Sequence, residues 1–213
     1  MPAVAAQRSL ARARGMGTLA LACVLAFTTV ATVLQGVRAD LDWVRAPLSF
    51  YLVGPHALWL QVAYIALAIA LATLGAGFHA ATPPARRSVV PMLLFVIGAM
   101  ALAVTAMAET DLGRGGEITL AARIHGIAAP IAFLGTTLAM LLQSWRFRAD
   151  PDWRRHFALG FGLAVACFLA LWVHALWREL PRGLSQKAVI VAILAWLALA
   201  AGWLRRTPER SLY

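Results

Sequence analysis

Residues 89–108 read VVPMLLFVIGAMALAVTAMA, twenty residues without a charge, set between Arg86-Arg87 on one side and Glu109 on the other. A helix of that length rises roughly 30 Å, the thickness of a bilayer's hydrocarbon core. Similar apolar runs occupy roughly 17–37, 56–78, 120–143, 156–177 and 188–204, each closed by a short polar break. Six such runs predict an all-α fold: a polytopic integral membrane protein, a bundle of six transmembrane helices forming a single membrane domain over residues 1–213.

Composition agrees. The chain is 62% hydrophobic and 13% charged, whereas a soluble domain carries roughly 25% charged residues. A formal charge of +10 is compatible with nucleic-acid binding, but the arginines fall in short groups at the ends of apolar runs, so they are expected to set topology and meet lipid headgroups. No nucleic-acid partner is expected, and membrane lipids are. Cys23 and Cys167 lie inside apolar runs and are expected to behave as small hydrophobes.

Arg8, Arg12 and Arg14 precede the first run, and Val37-Arg38-Ala39 at its end is a passable signal-peptidase site. The run is longer than the roughly 7–15 apolar residues of a signal peptide, so an uncleaved helix is expected. Six spans put both termini on one side. Placing them in the cytoplasm collects twelve of the nineteen Lys and Arg there, which predicts a multi-pass protein of the inner (plasma) membrane with cytoplasmic termini. Pro130 is expected to kink the fourth helix. Pro181 to Lys187 reads as a turn before the sixth, and Ala158-Gly162-Ala166-Ala170 as a flat packing face on the fifth.

Acids and histidines are scarce, and Glu109 to His125 holds several of them. In the predicted topology His56, His125 and His174 fall at the outward ends of the second, fourth and fifth helices, at similar depth to Ser49, Glu109, Asp111, Arg178 and Gln186. His125 lies deepest, roughly 7.5 Å into its helix, and ionisable groups in a membrane tend to face a cavity or the bundle interior. Thr105 and Glu109 are expected to share one face of the third helix, and His174 and Arg178 one face of the fifth.

Two chemistries suit these residues. A divalent metal such as zinc needs three ligands and an open position, for which His125, His174, His56 and Asp111 are candidates. Alternatively Ser49 is a nucleophile, His125 its base, and Asp111 or Glu109 the orienting acid. Neither arrangement has a diagnostic spacing. The plainer expectation is that each histidine bonds a loop backbone or carboxylate and that the acids are solvated.

Leu48-Ser49 with Gly54-Pro55, Asp111 followed by His125, and Gly183-Leu184-Ser185-Gln186-Lys187 together resemble a prokaryotic six-helix membrane family catalogued as domain of unknown function 998. The resemblance runs along essentially the whole chain. It departs at Ser185 and Lys187, where members commonly carry tryptophan and arginine. It implies a six-helix bundle with an outward polar site and a distant likeness to membrane proteins that act on glycolipid anchors or in lipid homeostasis. The functional expectation is a protein that binds or modifies a lipid or lipid-linked substrate at its outward face; as an enzyme it would be a hydrolase or acyl-transfer enzyme, metal-dependent or using Ser49. A small-molecule transporter and a non-catalytic membrane subunit or sensor are the alternatives.

Overall fold

A computed structural model of the chain describes residues 2–111 and 117–207. Leu112 to Gly116, the middle of the acidic loop, lies outside the described residues. The main elements are α1 (Pro2–Val37), α2 (Ala57–Ala81), α3 (Val90–Met107), α4 (Leu120–Phe147), α5 (Phe157–Leu176) and α6 (Arg182–Arg205), with no strand among the described residues. All six are long and apolar enough to cross a membrane. Each packs against its neighbours in sequence, α6 closes the ring on α1, and α2 also meets α6 across the middle.

The connections follow local chemistry. Pro91 sits in the first turn of α3, where its missing N–H costs nothing. Thr119 caps α4 by accepting a 3.1 Å hydrogen bond from the Ala122 N–H. Gly54 (φ 84°) and His56 (φ 63°) turn the chain into α2. Pro130 lies inside α4, which continues past it to Phe147.

Three expectations change. First, α1 begins well before residue 17: Leu10 and Ala13 are buried, the Ser9 hydroxyl donates to the Ala80 carbonyl at 2.8 Å, and the Arg14 Nε to the Thr207 carbonyl at 2.8 Å. Second, Pro181 to Lys187 is not a turn. Pro181 precedes the first residue of α6, and Gly183 to Lys187 are helical, since proline is well suited to a helix start. Third, Ala158, Gly162 and Ala166 face outward, and a Cβ on Gly162 would meet nothing within 4 Å. The packed face of α5 is Gly160, Ala164, Cys167, Leu171 and His174. The helix carries two small-residue stripes, and the stripe that includes Gly160 is the one seated on Ser144 and Trp203.

At the end of the bundle holding both described termini, Phe78, Phe147 and Trp153 pack with ring centroids 5.2–5.5 Å apart, and His156 stacks on Trp203 at 4.4 Å. Trp196 is fully buried in the middle and donates through Nε1 to the Gly160 carbonyl at 2.9 Å. Cys23 and Cys167 are free thiols. This half of the core is packed around these rings apart from a small opening of about 30 Å³ beside Gln143 and Asp150, and a more apolar space in the bundle lies toward the other end.

Candidate functional site

That space is a cavity of about 70 Å³ between α1, α2, α3, α4 and α6. Phe27, Leu67, Leu71, Leu102, Phe133 and Leu194 supply apolar wall, while Ser49, Tyr64, Thr105, His125, Thr136 and Gln186 bring polar atoms. Ser49, Gln186, Thr105 and His125 sit near the helix ends on the same side, while Tyr64 and Thr136 lie deeper, so four of the six polar residues gather at one end of a mostly apolar slot. Leu71 is seven residues deeper than Tyr64 on α2, roughly 10 Å along the helix.

His125 is 6% exposed, and its Nδ1 lies 2.8 Å from the Ala108 carbonyl oxygen. A carbonyl only accepts, so Nδ1 carries the proton, and in the neutral ring the lone pair is on Nε2. Asp111 does not orient this ring. Its two oxygens accept from the Thr119 N–H and hydroxyl, both at 3.2 Å, so the exposed carboxylate supports the start of α4, where negative charge is favourable.

The remaining predicted residues divide. Ser49, His125 and Gln186 are brought together on the cavity. Glu109 and Arg178 are exposed and lie past the ends of α3 and α5, so neither shares a helical face with Thr105 or His174. His56 is exposed in the turn before α2. His174 bonds the Ser185 hydroxyl through Nδ1 at 2.8 Å, its carbonyl accepts from Arg182, and it does not line the cavity. Among the described residues no three of His, Cys, Asp and Glu gather to hold a metal ion. The set His125, His174, His56 and Asp111 therefore does not fit zinc: three of its four members are occupied or turned outward at separate positions.

The cavity is roofed by the 38–56 segment, which docks on the first turns of α6. The Gly183 N–H donates to the Arg45 carbonyl at 3.0 Å, the Leu184 N–H to the Val44 carbonyl at 2.8 Å, and Lys187 Nζ to the Trp43 carbonyl at 2.6 Å. Gln186 Oε1 accepts from the Leu48 N–H at 2.8 Å. A Cβ on Gly183 would lie 2.4 Å from the Ala46 carbonyl oxygen, so only glycine permits this approach.

Family-like motifs far apart in sequence are thus in contact here. The match itself is direct: the model of the family described as "Protein of unknown function (DUF998)" covers residues 4–203. The chain belongs to the DUF998 family. No curated protein and no solved structure matches it.

In this DUF998 chain two residues that carry weight escaped the sequence reading. Arg38 is 3% exposed and grips Asp40 with two 2.8 Å bonds, from Nε and Nη2, while Nη1 donates to the carbonyls of Val53 at 2.8 Å and Pro55 at 3.1 Å. It therefore folds the roof segment back on itself. The hydrogen bond from Arg38 holds the Asp40 carboxyl below the usual carboxylate range. Burial pushes the Tyr51 phenol up, with Arg38 and Lys187 over its ring at 5.8 and 5.1 Å. The only sequence signal was an acid two residues after an arginine.

The second is Asp150, at the opposite end. It is 6% exposed, accepts from the Asp152 N–H at 3.0 Å through Oδ1, and its buried Oδ2 has no hydrogen-bond partner among the described residues. In sequence it reads as an ordinary loop acid beside Pro151.

Proposed function

We propose that the chain binds an amphipathic membrane lipid or lipid-linked molecule, with the stretch of apolar tail next to the headgroup in the cavity, whose volume of about 70 Å³ takes only a short length of chain, and its polar group among Ser49, His125 and Gln186. The observation that carries this reading is the asymmetry of the slot: mostly apolar wall along its depth, interrupted by Thr136, with Ser49, Thr105, His125 and Gln186 gathered at one end. An aqueous solute would need polar partners throughout, and a bare hydrocarbon would leave Nε2 of His125 unpaired. The distribution of Lys and Arg favours an inner-membrane orientation with the polar end extracytoplasmic. A transporter would need a polar path onward, and the far half of the core is filled by Leu74, Phe78, Phe95, Phe147 and Trp196, all below 2% exposure.

Mass spectrometry of lipid extracted from the detergent-purified protein tests the reading. About one lipid per chain is expected in the native protein, and loss of it in the cavity-filling variant Ala132→Phe, with Ala166→Phe on the outward face of α5 as the control. A folded native protein that retains no lipid overturns the proposal.

A catalytic version has one specific observation behind it: Ser49 and His125 line the same cavity, and the Nδ1–H bond to Ala108 leaves Nε2 as the basic nitrogen. There His125 takes the Ser49 proton as the hydroxyl oxygen attacks an acyl carbon, and returns it to the departing alcohol oxygen as the acyl–oxygen bond breaks, leaving the acyl group as an ester on Ser49. A fluorophosphonate probe should label Ser49 and fail on His125→Ala. An unlabelled native protein that still binds lipid leaves a binding protein without this chemistry.

A further inference from the structure

The seam between α3 and α4 separates the cavity from a second apolar space. On the inner side Leu102, Thr105, His125 and Ala129 line the cavity. On the outer side Ala103, Val104 and Met107 of α3 and Ala108 just past its end, with Leu120, Ala121 and Ile124 of α4 and Ile65 of α2, line an open surface groove. Met107 and Leu120 there are 70% and 74% exposed. Both helices are membrane spans by length and composition, so what the groove meets in a bilayer is acyl chain.

The seam is not uniform along its length. Deep in the bundle the two backbones touch: a Cβ on Gly135 would lie 3.3 Å from the Gly98 Cα, and one on Gly98 would lie 2.8 Å from the Thr136 hydroxyl. Toward the polar end the wall includes three small side chains, Ala103, Ala108 and Ala121, beside the larger Val104, Met107, Leu120 and Ile124. The bond there is His125 Nδ1–H to the Ala108 carbonyl, 2.8 Å, the same contact that sets the histidine tautomer. Between the tight contact and this bond lies Pro130. It has no N–H, so the Gly126 carbonyl loses its helical partner, and a Cβ on Gly126 would meet nothing within 4 Å. The first ten residues of α4 are therefore joined to the rest of the helix with one backbone bond missing, which is where helices bend.

We propose that this groove binds the acyl chain of a membrane glycerolipid and is its lateral entrance to the cavity: the first ten residues of α4 swing about Pro130, with Gly98 and Gly135 as the fixed contact and the His125–Ala108 bond as the latch. The inference rests on the reading that the cavity takes a lipid. It adds the substrate's source, the surrounding leaflet, and its route. Glu109, Asp111 and Thr119 at the groove's upper rim are the groups that a headgroup would meet on the way.

The test separates occupancy from exchange. The protein is reconstituted in phosphatidylcholine nanodiscs carrying a pyrene-labelled acyl chain, and both the equilibrium amount held and the rate of its exchange are read. Ala121→Trp fills the groove at a position that is not itself part of the cavity lining. It should slow exchange roughly tenfold, the effect of about 1.4 kcal/mol on the barrier. Pro130→Ala restores the missing backbone bond and should slow exchange in the same direction, which keeps the idea testable if the tryptophan variant does not fold. Ala166→Trp on α5 should exchange like the native protein. Native occupancy with native exchange rates in Ala121→Trp, or in Pro130→Ala where Ala121→Trp does not fold, overturns the lateral entrance and leaves the binding site standing. Absence of lipid from the native cavity overturns both.

Discussion

Gly183→Ala, the addition of one methyl group, should detach the roof of the cavity. Its Cβ would lie 2.4 Å from the Ala46 carbonyl oxygen and 2.8 Å from that of Val44. Both obstacles are backbone atoms, so no side chain can rotate away, and the 38–56 segment must retreat by roughly 1 Å to reach ordinary contact distance. That movement stretches the 3.0 Å and 2.8 Å bonds from the Gly183 and Leu184 amides. Overpacking costs about 1–3 kcal/mol and each lost bond about 0.5–1.5 kcal/mol. The alanine returns at most about 1 kcal/mol of helix propensity. The net expectation is a loss of about 2–4 kcal/mol, together with faster hydrogen exchange at Leu48, whose amide bonds Gln186. Gly162→Ala is the matched control, because its Cβ meets nothing within 4 Å and propensity alone should stabilise it slightly. Thermal unfolding of the two variants in detergent, beside the native protein, decides the matter. A Gly183→Ala protein that melts at or above the native temperature refutes the docked roof.

Three further outcomes are expected. Arg38 lowers the pKa of Asp40, so the pair's contribution is complete above the ordinary carboxylate value of about 4 and is lost as pH falls through the lower folded value; Asp40→Asn should flatten that acid limb of a melting-temperature profile. Thr119→Ala should cost about 1 kcal/mol through the lost cap, and Asp111→Ala should weaken the same helix start while leaving lipid retention intact; loss of lipid from a folded Asp111→Ala protein would return that acid to the site. Trp196→Phe removes the Nε1–H bonds to the Gly160 carbonyl and the Ser144 hydroxyl and should destabilise by about 2 kcal/mol, read as a drop in melting temperature.

Helix number and approximate span were legible because a bilayer demands long uncharged runs, and residues 89–108 meet that demand without ambiguity. The residues that line the cavity were also partly legible: Ser49, His125 and Gln186, chosen for their type and depth, do line it. Asp111, Glu109, His56, His174 and Arg178 have the same types at similar depth and do not. Their exclusion follows from where α3 and α5 stop, and from which partner each side chain finds, and composition contains neither fact.

The physical reason is the solvent. In water a buried helix face is marked by its apolar stripe, but lipid is as apolar as a protein core, so periodicity says little about which face points inward. Ala158-Gly162-Ala166 and Gly160-Ala164-Cys167 look alike in sequence, and packing alone chose the second. Arg38 likewise reads as a boundary charge until the tertiary structure buries it among the carbonyls of Val53 and Pro55. The amino-acid sequence determined six helices long and apolar enough to span a membrane; the rotation of each helix, and with it the cavity, its roof and its seam, was decided only when the backbones closed on one another at contacts such as Gly98 to Gly135 and Gly183 to Ala46.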